Sequence, residues 1–207
     1  MRGNGANIAI MTSESLAGIG VGLALAAAAG LRVFVPLLAL SLAARAGWVQ
    51  LTPSFEWLAS APAIVALATA TAMEVAAYYI PFFDNMLDAL GAPVAMAAGV
   101  VATAALVTDL PPWLQYAIAL VGAGGTAGLV HASTSLLRLK SSAATAGFGN
   151  PVLATLELIG SILIAVLALL APVFALLAVV ALVVMGARRL SARRLQIDCG
   201  AVRSSTR

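Results

Sequence analysis

The chain has 207 residues, of which 62% are hydrophobic and 9% are charged, and its mean hydropathy is +1.06. This composition excludes an ordinary water-soluble domain, whose surface needs more charge, and predicts an all-α integral membrane protein. The net charge of +3 arises from arginines behind the last apolar run, which is typical of a cytoplasmic membrane tail and gives no reason to expect nucleic-acid binding.

At about 20 residues per span, the length accommodates about six transmembrane helices in one bundle. Residues 1–14 are polar and are interpreted as an N-terminal segment, not as a cleavable signal. The first predicted span follows, and a helix from Leu16 to Arg45 would be about 45 Å long, against a hydrocarbon core of about 30 Å. Gly30 and Pro36 interrupt it, so we expect a tilted, broken or re-entrant segment near Gly30.

The second span is predicted over residues 57–80, and the third over residues 94–107. The stretch between them, PFFDNMLDALGAP, contains two prolines and two acids, which favours a loop or a short interfacial helix. TDLPPW then marks the boundary between two halves, because consecutive prolines end helices. Tryptophans at 48, 57 and 113 are expected at the headgroup level of the membrane.

The fourth span starts at Trp113, and residues 152–187 are too long an apolar run for one span. Pro172 divides that run, so we predict a hairpin of spans five and six. Because basic residues are typical of the cytoplasmic side of a membrane, we place Arg138, Lys140 and the basic tail, residues 190–207, in the cytoplasm, which implies a multi-pass protein of the plasma (inner) membrane. Cys199, the single cysteine, excludes an internal disulfide.

A weak internal repeat relates residues 29–47, AGLRVFVPLLALSLAARAG, to residues 127–147, AGLVHASTSLLRLKSSAATAG. With two single-residue gaps, the positions that match on the first copy are Ala29, Gly30, Leu31, Leu37, Leu38, Leu40, Ala43, Ala44, Ala46 and Gly47. Three spans in each half would place the halves in opposite orientations, as in many secondary transporters. We therefore predict inverted three-helix repeats over residues 15–110 and 111–189, with broken or re-entrant segments near Gly30 and Gly128.

Three ionisable residues, Arg32, Glu74 and Glu157, fall inside apolar stretches, where an unpaired charge costs at least a few kcal/mol. In the six-span interpretation both glutamates lie about 9 Å from the cytoplasmic face and could share one site. Such a pair could bind a cation or exchange a proton. Alternatively, each glutamate fixes helix packing by capping a neighbour or pairing with Arg32.

Three further residues are candidates for a polar site. His131 occupies nearly the repeat position of Arg32, and is either a cavity residue or a satisfied histidine near a helix end. Asp84 is either part of a weak cation site with Asp88 or a solvated loop acid. Asn150 precedes Pro151, a pattern typical of a helix N-cap followed by proline at the first helical position.

Enzymatic chemistry is not predicted, since the chain has no GxSxG, HExxH or P-loop motif. A single histidine and a single cysteine cannot form a multi-histidine or cysteine metal site, so we expect no metal and no cofactor. The glycine-rich faces of spans one and four, including Gly18, Gly22, Gly122 and Gly125, predict close helix contacts within the bundle or in a homodimer.

Three motifs, GLRVFVPLLALSLAARAG, MEVAAYYIPFFDNMLDAL and HASTSLLRLKSSAATAGFGNPVLATLELIG, resemble an uncharacterised bacterial membrane family, domain of unknown function 4126. The resemblance implies a small multi-pass membrane protein and brings no activity with it. The family pattern often reads E-x-x-A-D-K-I-P, whereas Tyr78 and Tyr79 stand here in place of the acid and the lysine. Leu158 follows Glu157 where a second acid is common.

These features predict a secondary transporter or an ion- or proton-coupled carrier with a polar site between the two repeats. The alternatives are a flippase-like protein in which Arg32 binds a lipid phosphate, and a structural scaffold or complex subunit. The expected partners are membrane lipids and a substrate that is either a small ion or a lipid phosphate.

Overall fold

The computed structural model describes residues 13–108 and 110–171, without the side chains of residues 13–15 and 81–89. Every regular element in these residues is helical. The α-helices are α1 (Ser13–Leu31), α2 (Phe34–Arg45), α3 (Ala61–Ala77), α4 (Pro81–Leu106), α5 (Pro112–Ala117), α6 (Gly125–Thr145) and α7 (Asn150–Leu170). A 3₁₀ helix, Pro53–Ala59, precedes α3, and a π-helical segment, Ile118–Gly124, joins α5 to α6.

The first apolar stretch is broken, as predicted, but at Arg32 and Val33, just beyond Gly30. The backbone N–H of Arg32 still donates to the carbonyl of Ala28, and α2 then begins at Phe34. Pro36 lies in the first turn of α2, where a missing N–H leaves no helical hydrogen bond unmade. Pro36 therefore starts a new helix and does not kink a longer one.

Of the two predictions for PFFDNMLDALGAP, the loop is wrong and a helix is present, but this helix is not short, because the stretch forms the first half of α4. Pro81 occupies the start of the helix, the position that tolerates proline best. Pro93 lies inside the helix, which nevertheless continues to Leu106. The chain turns between α3 and α4 within Tyr78–Ile80, so the predicted second and third spans follow each other almost directly.

The break predicted near Gly128 is also wrong, since α6 runs without interruption from Gly125 to Thr145. A Cβ at Gly128 would lie 3.0 Å from the side chain of Met96 on α4, so this glycine serves helix packing. The helical irregularity lies earlier, in the π-helical segment, and the Thr126 hydroxyl donates to the carbonyl of Gly122 within it.

Both copies of the predicted repeat end alike and are otherwise built differently. Gly47 and Gly147 each follow a helix C-terminus with a positive φ, +76° and +89°, a conformation that favours glycine. The first copy, however, contains the break at Arg32, whereas the second lies mostly in continuous α6. The inverted repeat and the boundaries 1–14, 15–110, 111–189 and 190–207 stay predictions.

Helix α1 lies at the centre of the bundle and packs mainly against α4, α6 and α7. Its residues from Ala24 to Ala29 are almost completely buried and are nearly all alanine. Close approach to α4 depends on glycine, because a Cβ at Gly18 would lie 2.7 Å from the carbonyl oxygen of Leu106. A Cβ at Gly22 would likewise lie 2.8–2.9 Å from three atoms of Thr103. The predicted close contacts therefore form within the bundle at Gly18 and Gly22, whereas the prediction is wrong for Gly125, where a Cβ would have no neighbour within 4 Å.

The C-terminal carbonyls of α4 are satisfied by two neighbouring segments, as the end of a buried helix requires. The amide of Gln115 on α5 donates to the carbonyl of Ala104 at 2.7 Å. The backbone N–H of Thr52, before the 3₁₀ helix, donates to the carbonyl of Ala105 at 2.9 Å. These bonds fix both connecting segments to the same end of α4.

Helix α7 carries larger apolar side chains on its exposed faces than on its buried face. Helix α7 buries a stripe of small or polar residues at helical spacing: Asn150, Ala154, Glu157, Ser161, Ala165 and Ala168. Its other faces expose Val152, Leu156, Ile159, Ile162, Leu163, Val166, Leu167 and Leu170. Large apolar side chains outside and small or polar ones inside suit a lipid environment, where helices associate through close packing.

Two helical runs in the described residues, Pro112–Thr145 and Asn150–Leu170, are long and apolar enough to cross a membrane. The 3₁₀ helix and α3 meet at 66° and would provide a third as one bent span. Shorter apolar helices cover Leu16–Leu31, Phe34–Arg45 and Leu90–Leu106. The structure is thus all-helical and compatible with a membrane-embedded protein, and six spans stay a prediction. The predicted hairpin at Pro172, Cys199 and the basic tail lie outside the described residues.

Replacing Gly22 by alanine tests the contact between α1 and α4. Because the added Cβ meets the backbone of Thr103, we expect Gly22→Ala to lower the free energy of unfolding by about 1–3 kcal/mol. Gly125→Ala is the matched control, since a Cβ there has no neighbour within 4 Å. It should be neutral or stabilise by up to about 1 kcal/mol through helix propensity. Thermal unfolding in detergent measures both, and equal midpoints would contradict the packing argument.

Candidate functional site

The candidate site is a cluster of charged and aromatic side chains around the break between α1 and α2. Arg32, at the break, is only 2% exposed because α1 is enclosed by three other helices. Helix α3 brings Glu74, α6 brings Arg138 and α7 brings Glu157 to the same place. Tyr78, in the turn after α3, contacts both arginines. We refer to Arg32, Glu74, Tyr78, Arg138 and Glu157 as the charged cluster.

Glu74 caps the N-terminus of α2 from another helix. Its Oε1 accepts a hydrogen bond from the backbone N–H of Val33 at 2.7 Å, and its Oε2 accepts one from Phe34 at 3.1 Å. These N–H groups are among the four that a helix start leaves without a partner. A carboxylate also suits the positive end of the helix dipole. The cap therefore satisfies both the backbone donors of α2 and the buried charge of Glu74.

Glu157 joins α7 to α6 through Arg138. The Arg138 Nε donates to Glu157 Oε1 at 3.2 Å, and its Nη2 donates to Oε2 of the same carboxylate. This two-pronged pairing is the strong geometry for a guanidinium and a carboxylate. Both residues are buried, so removal of either one would leave a charge in an apolar environment.

Arg32 links the break to the same carboxylate. Its Nη2 donates to the carbonyl of Ala154 on α7 at 2.6 Å and lies 3.6 Å from Glu157 Oε2. Its guanidinium carbon lies 3.7 Å from the centroid of the Tyr78 ring, and that of Arg138 lies 4.1 Å from it. Tyr78 thus stabilises two guanidinium groups through cation–π contacts.

Two of the three nitrogens of the Arg32 guanidinium have unused donors. Among the described residues, neither Nε nor Nη1 meets a hydrogen-bond acceptor, although both atoms are fully buried. Buried donors of a charged group are costly to leave unpaired. This shortage of acceptors is the chemical feature that singles out the site.

His131 lies on α6 with its imidazole against α4. It is 3% exposed, and its ring occupies the space that a Cβ at Gly91 would need. Among the described residues, its Nε2 has no hydrogen-bond partner. The close contact requires glycine at position 91.

The remaining two candidates are placed differently from expectation. Asn150 is not the N-cap of α7, because the helix begins at Asn150 itself and Gly149 flanks it. Its Nδ2 donates to the hydroxyl of Ser142 on α6 at 3.0 Å, so it ties α6 to α7. Pro151 lies in the first turn of α7 but is its second residue, one position later than predicted. Asp84 falls on α4, but its side chain lies outside the described residues.

The structure brings Arg32, Glu74 and Glu157 together, yet not as an open pair of carboxylates. Glu74 is bound to the start of α2, and Glu157 is bound to arginine. This arrangement favours the interpretation in which both glutamates pair and cap. Among the described residues there is no group of three acidic, histidine or cysteine side chains that could hold a metal.

Sequence reasoning missed Arg138 and Tyr78. Arg138 was assigned to the cytoplasm with Lys140, whereas it is 2% exposed and Lys140 is exposed. The signal was present in helical spacing, because Arg138 falls two turns after His131 and three after Ala127 on one face of α6. Tyr78 had no such signal, since it lies in a turn.

Comparison with known proteins gives a family and nothing further. The model of a domain of unknown function (DUF4126) matches residues 19–192. No curated protein and no solved structure matches the chain.

A double-mutant cycle tests the pair of Arg138 and Glu157. Glu157→Gln alone should destabilise by about 3–5 kcal/mol, because two buried guanidinium groups lose a charged acceptor. Combined with Arg138→Met, the loss should be smaller than the sum of the single losses by about 1–3 kcal/mol. The exposed Glu56→Gln is the control and should stay within about 0.5 kcal/mol of the wild type. Additive effects in unfolding measurements would show that the pair is not coupled.

The contact of Gly91 with His131 is tested by compensation. Gly91→Ala should destabilise by about 1–3 kcal/mol, because its Cβ overlaps the imidazole. In a His131→Ser background the same change should cost little, since the smaller side chain leaves room. The measurement is the shift of the unfolding midpoint in each background, and equal shifts would rule out the overlap as the cause.

Proposed function

The chain belongs to the family described as domain of unknown function (DUF4126), and we propose that it is a small membrane carrier whose solute site is the charged cluster. In this proposal the cluster binds and positions a solute and makes no covalent bond to it. Lipids cover the exposed apolar faces of α6 and α7.

The observation that supports this proposal is the broken helix with a buried arginine at its break. Non-helical backbone inside an apolar bundle is tolerated where it is enclosed by protein or lines a polar cavity. Broken helices of this kind form the solute sites of many secondary transporters, with half-helix ends and side chains as ligands. Here Arg32 and the start of α2 meet charged groups from α3, α6 and α7.

The pairing within the cluster allows for two arrangements of the helices. Glu157 Oε2 is bonded to Arg138 and lies 3.6 Å from Arg32, so one carboxylate stands between two guanidinium groups. If α7 shifted against α6, Glu157 would pair with Arg32 in place of Arg138, and the guanidinium that it leaves would need the solute as its partner. A carrier needs such alternative pairings, because an unpaired charge in an apolar bundle is expensive.

The flippase-like alternative has less support. A lipid phosphate would have to reach Arg32, which is 2% exposed, with its acyl chains attached, so the bundle would have to open further than for a small solute. A scaffold would bind its protein partners through the exposed apolar faces. Lipid would cover these faces equally well, so they do not favour a scaffold. A scaffold needs the charged groups only to fix the packing of the helices, whereas a carrier also uses the buried donors of Arg32 to bind its solute.

A carrier must open its solute site to each side of the membrane in turn, so the test is whether a reagent reaches the charged cluster from both sides. In a Cys199→Ser background, a cysteine at Ala154, whose carbonyl binds Arg32, reports on the cluster. We expect membrane-impermeant maleimide to label it from the outside in intact cells and from the inside in inverted vesicles. Labelling from one side alone, or from neither, would contradict the proposal.

Two control cysteines calibrate this experiment. Ala165 lies on the same buried stripe of α7, about three turns beyond Ala154, and should stay unlabelled from both sides. Trp48 lies in a loop and is 71% exposed, so a cysteine there should react from one side only. That side also shows whether α1 and α2 together cross the membrane.

A further inference from the structure

The cluster is short of hydrogen-bond acceptors, and the shortage is located at Arg32. A guanidinium has five N–H donors in one plane. In Arg32 the Nη2 atom donates to Ala154 and faces Glu157, whereas Nε and Nη1 donate to none of the described residues. With 2% exposure, bulk water does not solvate these donors.

The acceptors nearest in the cluster are already engaged. Both oxygens of Glu157 accept from Arg138, and both oxygens of Glu74 accept from the backbone at the start of α2. Redirecting either carboxylate to Arg32 would break an existing charge-assisted pair. Among the described residues, no carboxylate of the cluster can therefore turn to Nε or Nη1 without losing a present partner, and an acceptor from a bound ligand would complete the site.

The surroundings restrict how that molecule can approach. The Tyr78 ring lies 3.7 Å from the guanidinium carbon and covers one face of it, so a ligand meets Arg32 in the guanidinium plane. Planar donors of this kind match the oxygens of carboxylate and phosphate groups. The start of α2 adds the positive end of a helix dipole. A cation would face two carboxylates whose oxygens are already bound.

We propose that Arg32 is the binding group for an oxyanion, a carboxylate or a phosphate, which accepts a hydrogen bond from Nε or from Nη1 along one edge of the guanidinium. The inference rests on the proposed carrier and names the substrate class of its site. Glu157 stays with Arg138 when the oxyanion binds, because it lies 3.6 Å from Arg32, beyond a normal hydrogen bond.

The test is thermal unfolding of the full chain in detergent, titrated with sodium phosphate or sodium acetate at constant ionic strength set by sodium chloride. A ligand that binds the folded state raises the unfolding midpoint. We expect a rise of about 5 °C at concentrations about a hundredfold above the dissociation constant. Arg32→Gln should abolish the rise, and the exposed Arg45→Gln should retain it.

A second variant covers the case in which Arg32→Gln does not fold. Arg32→Lys keeps the charge but lacks the planar donors, so the concentration needed for the same rise should increase about tenfold or more. A rise of equal size and concentration dependence in the wild type and in the Arg32 variants would overturn the proposal.

A second experiment, in nanodiscs, distinguishes a lipid phosphate from a soluble oxyanion. A lipid phosphate at the site predicts a stabilisation by phosphatidic acid over phosphatidylcholine that depends on Arg32, with no response to phosphate or acetate. A soluble oxyanion predicts a stabilisation by phosphate or acetate that depends on Arg32, with no difference between phosphatidic acid and phosphatidylcholine. If neither source stabilises the wild type more than Arg32→Gln or Arg32→Lys, the proposal is wrong.

The binding test and the accessibility test fail independently. Arg32-dependent oxyanion binding with labelling of residue 154 from one side only would leave an oxyanion site without a carrier. Labelling from both sides without oxyanion binding would leave a carrier for another class of solute.

Discussion

The cap that Glu74 places on α2 is the interaction on which the rest of the site depends. A helix that starts inside an apolar bundle exposes backbone N–H groups that neither lipid nor alanine can satisfy. Glu74 satisfies those of Val33 and Phe34, and only then can the chain leave α1 at Arg32 and resume as α2. The break in turn places the Arg32 guanidinium where it reaches Ala154 and Glu157 on α7. One carboxylate thereby determines where the buried positive charges meet their partners.

Close packing of small residues lets the helices approach each other closely enough for this arrangement. Gly18 and Gly22 let α1 approach α4 so closely that a single added carbon would collide with backbone atoms. The alanines of α1 and α7 bring α6 and α7 near enough for short side-chain bridges. In lipid this packing, and not the burial of large apolar side chains, holds helices together. The large side chains consequently remain outside, as suits a lipid environment.

Simple physical limits explain which features the sequence predicts. The break near Gly30 follows from the length of the run compared with the membrane, and the burial of Arg32, Glu74 and Glu157 follows from the scarcity of charge in apolar stretches. The loop before Pro93 was wrong because a proline that starts a helix looks the same in sequence as one that ends it. Arg138 was misplaced because a basic residue near polar neighbours also fits a cytoplasmic loop. The partner of Arg138 is Glu157 on α7, and the spacing of residues along the sequence does not show such a contact between two helices.

Charge balance and hydrogen-bond balance are separate requirements, and the charged cluster meets only the first among the described residues. Two arginines face two glutamates, so the formal charges cancel. All four carboxylate oxygens are engaged, however, while Nε and Nη1 of Arg32 remain without an acceptor. The Tyr78 ring stabilises both guanidinium groups through their faces, not through hydrogen bonds in the guanidinium plane. The cation–π contacts thus help to keep both arginines buried, but they provide no acceptor for Nε and Nη1 of Arg32.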